Sequence, residues 1–271
     1  MIDQKELAKR FPRTEKYSPE WISEGGMGAN PLWQTEWLCE QLQLQPGMRV
    51  LDLGCGRAKS SIFIAREFGV EVWATDLWVV ASENWQRVCD ADLQDSVFPI
   101  HADARSLPYA SGFFDAILAV DCYPYFGSDD LYLNYLAQFV KPGGLIGIAG
   151  AGLLQEMPKP VPEHLRAWWT QDCWCLHSAD WWRQHWERTD IVQITTADSM
   201  EDGWKIWTHW HRTAWPNNTT EIAAIEEDAG RYLTYVRVVG RRHADVKLEE
   251  YCWPDPLRFM PQQYEKKPML R

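Results

Sequence analysis

No unbroken apolar run in the 271 residues approaches the roughly 18 that cross a bilayer. The opening stretch, MIDQKELAKRF, lacks the apolar core of a signal peptide. The expectation is a cytoplasmic protein with no membrane partner. Cysteine is scarce, with 7 scattered residues. That number and spacing argue against a disulfide framework and suit reduced thiols. Cys173-x-Cys175 lacks the second pair that a zinc site shows, so no metal is expected. Cations are also short, with 27 Lys and Arg against 38 Asp and Glu and a net charge of −11. Such a surface repels a phosphate backbone, and nucleic acid is not an expected partner.

Apolar residues and tryptophan are abundant. At 46 % hydrophobic, the chain can bury a full core. Of its 17 tryptophans, ten fall between Trp168 and Trp215. The other concentrated signal is Val50-Leu51-Asp52-Leu53-Gly54-Cys55-Gly56-Arg57-Ala58. An apolar run with an acid near its end reads as a buried strand, Gly-x-Gly turns the chain, and apolar residues at helical spacing follow over 58–68. Strand, glycine turn and helix cradle a nucleotide-like ligand, because glycine lets the backbone approach and the helix start presents free N–H groups. A second short strand, 71–76, ends in Asp76 about 20 residues beyond the turn, where an acid accepts ribose hydroxyls. Leu77 and Trp78 follow it. The third glycine of nicotinamide sites is missing, which counts against an NAD-type oxidoreductase.

Asp-x-Gly-x-Gly resembles motif I of the class I S-adenosylmethionine (SAM)-dependent methyltransferases, with Ala58 in place of the usual third glycine. Asp103-Ala104 resembles the family's adenine-binding segment, Leu107-Pro108-Tyr109 with Phe114-Asp115-Ala116-Ile117 its passage into strand 4, and Lys141-Pro142-Gly143-Gly144 its turn into strand 5. These landmarks stand in order over about 48–150. They are similar to the small-molecule group that includes ubiquinone, sterol and cyclopropane-synthase-like enzymes. The resemblance implies an α/β, Rossmann-like sheet of seven strands, mostly parallel with the last antiparallel, and helices on both faces. It implies SAM as cofactor and S-adenosylhomocysteine as product. Asp52, Gly54, Cys55 and Gly56 would form the methionine pocket, Asp76 would take the ribose, and Leu77, Trp78, Asp103 and Ala104 would surround the adenine. Asp115 is expected to fix a turn.

Beyond strand 4, Asp121 and Tyr123 are placed to border cofactor and acceptor, since ligands lie beyond the carboxyl ends of such strands. The expected organisation is a lid over 1–45, a methyltransferase domain over 46–243 with cap insertions at about 151–188 and 200–230, and a tail over 244–271. Tyr17, Trp21 and Met27 are lid candidates, around a glycine-rich loop at 23–30; a solvated arm would read the same. The cap holds most of the tryptophans. Tyr17, Trp21, Tyr123, Tyr125, Trp174 and Trp207 are the expected acceptor contacts, although each indole also suits a lid core. Asp121, Tyr123 and His177 are the expected catalytic groups, with His209 and His211 as further candidates for a base. The function expected is methyl transfer to a small-molecule acceptor by a monomer or homodimer. The alternative is a non-catalytic SAM-binding module.

Overall fold

A computed structural model describes residues 2–246 and 248 of the protein. The tail expected from about residue 244 lies almost wholly outside these residues. Among them, strands β1 (Arg49–Leu53), β2 (Glu71–Asp76), β3 (Val97–His101), β4 (Phe114–Val120), β5 (Val140–Leu153), β6 (Val192–Ser199) and β7 (Leu233–Arg242) form one 7-stranded sheet. Its order is β3-β2-β1-β4-β5-β7-β6. Strands β1 to β5 pair in parallel, and β7 lies antiparallel between β5 and β6. The expected sheet, last strand antiparallel, is therefore the observed one. Order reverses between β1 and β4, which opens the ligand crevice there.

Helices α1 (Gln4–Arg10), α2 (Pro19–Ser23), α3 (Pro31–Leu42), α4 (Lys59–Phe68) and α5 (Ala81–Asp90) precede β3 in the chain. Helices α6 (Pro124–Gly127) and α7 (Tyr132–Ala137) follow β4, α8 (Ala179–Glu187) precedes β6, and α9 (Gly203–Ala214) and α10 (Thr219–Asp228) join β6 to β7. Alternation along the central strands splits the core in two. Val50, Ala116, Leu118 and Ala149 pack on one face with Leu38 of α3, Phe63 of α4 and Trp210 of α9. Leu51, Ile117, Ile146 and Ile148 pack on the other with Leu136 of α7 and Trp182 and Trp186 of α8. The first residues join the former core through Leu7 and Phe11, so the lid segment is continuous with the sheet's packing.

The chain from Glu163 to Cys173 forms only the 3₁₀ turns Glu163–Leu165 and Gln171–Cys173, because Thr170 is extended and interrupts the helical run. Strand β5 is long, since β7 pairs with it continuously from Leu145 to Leu153. Asp115 behaves as expected: its carboxylate accepts Arg49 N–H at 2.9 Å and pairs with Lys141, tying the starts of β1, β4 and β5. Asp228, wholly buried, joins the cap to the sheet by accepting Tyr232 and Leu233 N–H and pairing with His164 at 3.0 Å.

Candidate active site

The glycine turn hangs from β2. Gly54 and Cys55 N–H both donate to Thr75 O, at 2.8 and 3.1 Å, while Gly54 takes φ +71 and Gly56 φ +52. Both angles favour glycine. A Cβ on Gly54 would stand 2.5 Å from Cys122 Sγ, so β4's exit also needs hydrogen there. Ala58, where the family has glycine, sits in the left-handed region at φ +58 and opens α4 without a side-chain cap. The free N–H groups of α4's first turn therefore face the turn. Asn84 of α5 donates to Gly56 O at 2.8 Å and steadies the outer side.

Two acids define what the cradle can hold. Asp52 is fully buried; its Oδ2 accepts the Ser60 and Ser61 hydroxyls at 2.6 Å each, whereas Oδ1 has no partner among the described residues. Burial lifts its pKa to about 6, against the two hydroxyls that hold it down. Asp76 Oδ2 accepts Gly56 N–H at 2.8 Å, and Oδ1 accepts Trp78 and Val79 N–H at 2.7 and 2.8 Å. A carboxylate has about four lone-pair sites, so Oδ2 retains one for a ligand hydroxyl. Leu77 and Trp78 are 44 % and 61 % exposed beside it, apolar surface that the fold itself leaves uncovered. Asp103 is bound to Arg105 through Nε and Nη2 at 3.0 and 2.7 Å, which holds its carboxyl below the usual range. Ala104 O accepts the Tyr132 hydroxyl.

The N-terminal segment meets this cradle by three contacts. Lys59, at the first turn of α4, donates to Ile22 O at 2.8 Å and Glu24 O at 2.5 Å, and burial lowers its pKa to about 8. Met27 lies above Gly56, since a Cβ there would meet only Met27 Sδ at 3.6 Å. Asp121 accepts Ala29 N–H at 2.9 Å and Ala151 N–H at 3.2 Å, joining lid, β4 and β5. Asp121 itself holds φ +56, and desolvation raises its pKa.

Other expected contacts lie elsewhere. Tyr123 is 1 % exposed and packs against Phe126, Tyr132, Trp182 and Trp186, so its phenol belongs to the core and not to an acceptor pocket. Tyr123 continues the face of Ile117 and Ala119, which α8 closes with Trp182 and Trp186. Tyr17 and Trp21 stack on each other at 5.6 Å, and Tyr17 leans on Phe63; they fasten the lid to α4. His177 pairs with exposed Glu156 at 2.8 Å and stacks on Trp181, an arrangement that anchors the start of α8. Tyr125 and Trp174 are 63 % and 68 % exposed. Trp207 is buried, stacked on Tyr235 at 5.2 Å, and donates to Glu221 at 3.0 Å. Sequence reasoning missed Lys59, Ser60, Ser61, Asn84 and Glu221. Only the serine pair, directly after the turn, carried a local signal. Among the described residues no helix is long and apolar enough to cross a membrane, and no group of three or more His, Cys, Asp or Glu is arranged to hold a metal.

The orphaned Asp52 Oδ1, the glycine backbone and the spare Asp76 lone pair fit a ligand with an amino acid end and a ribose. Comparison with known proteins agrees. Residues 50–144 match the family model of a methyltransferase domain. Methyltransferase GfsG of Streptomyces halstedii is 35 % identical over 137 residues, 48 % of each chain. The 2-methyl-6-phytyl-1,4-hydroquinone methyltransferase of Synechocystis is 28 % identical over 184 residues, 64 % of this chain and 55 % of that protein. The chain thus spans about half the length of these curated relatives. Among solved structures, phosphoethanolamine N-methyltransferase 2 of Haemonchus contortus, bound to SAM, superposes with a TM-score of 0.70 at 17 % identity, over 90 % of this chain and 60 % of that one. Residues 50–144 are therefore a methyltransferase domain, and the chain is built on the class I methyltransferase fold.

Proposed function

We propose that the protein binds SAM across the carboxyl ends of β1, β2 and β4 and methylates a small acceptor beneath the cap. The observation that carries this is the buried Asp52 Oδ1, without a partner among the described residues, set beside the glycine turn under the N-terminal segment that Lys59 holds. When bound, the cofactor supplies a methyl group already activated on a sulfonium. The chain's own work is then to bind, align and exclude water. Gly54 and Gly56 bring the backbone close, and Asp52 accepts a hydrogen bond from the amino acid end. Asp76 accepts one ribose hydroxyl, and Leu77 and Trp78 cover the adenine ring. Asp103 and Ala104 would meet the ring's edge. Met27 closes the site from above, while Tyr125 and Trp174 form the rim through which an acceptor enters. A named relative's hydroquinone and a structural neighbour's phosphoethanolamine are both small acceptors, which supports that class here.

Thermal melting tests the reading. S-adenosylhomocysteine at about 100 times its Kd adds about 2.7 kcal/mol to the folded state, a shift of several degrees in a domain of this size. A shift with NADH and none with S-adenosylhomocysteine would refute it.

A further inference from the structure

Away from the glycine turn, buried polar groups gather at one place under the cap. Glu221 of α10 accepts Trp207 Nε1–H at 3.0 Å through Oε1 and Asn218 Nδ2–H at 2.7 Å through Oε2. The same Oε1 stands 3.4 Å from Nε2 of His211, whose side chain is 6 % exposed. The other ring nitrogen, Nδ1, is buried and has no partner among the described residues. In the neutral tautomer that turns its proton towards this carboxylate, Nδ1 is left as a bare lone pair. Burial keeps the ring neutral by lowering its pKa to about 4.

This pair borders the cofactor site. Asp121 exerts its charge on His211 from the end of β4, and the charge of Glu221 reaches Asp121 in turn. Trp210, the residue before His211, donates to Gly28 O at 2.9 Å, and a Cβ on Gly28 would meet Asp121 Oδ2 at 2.3 Å. Trp207, which donates to Glu221, stacks on Tyr235 beside the pair. A purely structural tie between α9 and α10 would leave the buried Nδ1 lone pair uncompensated. Asp121, Glu221 and Nδ1 offer only acceptors, so a ligand seated among them must bring the hydrogen.

We propose that His211 is the general base of the reaction, acting through Nδ1 on a hydroxyl, thiol or amine acceptor, with Glu221 as the positioning residue that fixes its tautomer. The proposal rests on the methyltransferase reading above. As the acceptor atom bonds to the methyl carbon, the carbon–sulfur bond breaks and its electron pair stays on the departing thioether. The acceptor's proton passes to Nδ1. The imidazolium so formed faces Glu221 and Asp121, and returns its proton to water when the lid opens.

Two measurements on the full chain test this. Nitrogen-15 NMR of the histidines is expected to show His211 neutral and protonated at Nε2 from pH 6 to 8, with Glu221→Gln mixing the tautomers. Signals from an Nδ1–H ring, or titration of His211 near pH 6.5, would overturn the proposal. In parallel, His211→Gln is expected to bind S-adenosylhomocysteine within threefold of wild type. With catechol, thiophenol and benzylamine as probe acceptors, its kcat is expected to fall 100-fold or more, with KM for SAM unchanged. Equal kcat in wild type and variant would also overturn it. A wild type that binds no S-adenosylhomocysteine would remove the methyltransferase reading itself, whereas binding with the wrong tautomer removes only the base.

Discussion

Replacing Lys59 by methionine should unlatch the lid without disturbing the sheet. The ammonium is the shared donor to Ile22 O and Glu24 O, two carbonyls 37 and 35 residues away in sequence. A hydrogen bond from a charged donor contributes about 1.5–3 kcal/mol. The cost of burying the ammonium is visible in a pKa lowered from 10.5 to about 8. The hydrogen-bond range is already net of desolvation, and the lowered pKa places this ammonium towards its lower end. A net latch of about 1–2 kcal/mol results, a factor of roughly 5–30 in the open population. Methionine keeps the length and apolar stem but donates nothing. Limited subtilisin digestion reads the open population directly when closing is faster than cleavage. The initial rate of cutting between residues 22 and 30 should rise 5- to 30-fold, and S-adenosylhomocysteine should bind more weakly by a similar factor. Digestion and affinity both within twofold of wild type would refute the latch.

Further outcomes follow from the same geometry. Gly54→Ala should lose cofactor binding and about 2–4 kcal/mol of stability in denaturant unfolding, because φ +71 is costly for a residue with a side chain and its Cβ would stand 2.5 Å from Cys122 Sγ. Tyr123→Phe should leave kcat unchanged and unfold at equal or slightly higher denaturant, since it removes a buried hydroxyl with no partner among the described residues; a large loss of kcat would return Tyr123 to the site. The part of the stability that depends on His211 should fall as pH drops from 6.5 towards 4, against Asp52, whose pKa raised to about 6 works in the opposite direction. In that window the unfolded chain protonates His211 while the folded ring, at about 4 despite Glu221 and Asp121 nearby, stays neutral. The effect is at most about 3 kcal/mol, and His211→Asn should remove it from the pH profile of urea unfolding.

The fold was legible in the sequence because its signals are local. The β1 run, Gly54 and Gly56, the acid at the end of β2 and the turn before β5 each declare themselves within about ten residues, and their order specifies the sheet. Asp52 and Asp76 emerge in the same way. The acceptor side was less legible. Tyr123 lies on the face that Ile117 and Ala119 already meet, and only the docking of α8 shows that face closed by Trp182 and Trp186. Lys59 reads as an ordinary helix cation until the lid folds over it. His177, His209 and His211 are alike in sequence, and only the packing of α10 against α9 gives His211 a carboxylate on one nitrogen and none on the other.

The central claim is tested most directly by calorimetric titration of S-adenosylhomocysteine into the wild type and Asp76→Ala, with the fold of both checked by circular dichroism. One-to-one, micromolar binding by the wild type is expected. Loss of one charge-assisted hydrogen bond to the ribose should weaken it about 10- to 150-fold in the variant. Wild type that ignores S-adenosylhomocysteine, or a folded variant that binds it equally well, would contradict the placement of the cofactor on Asp76.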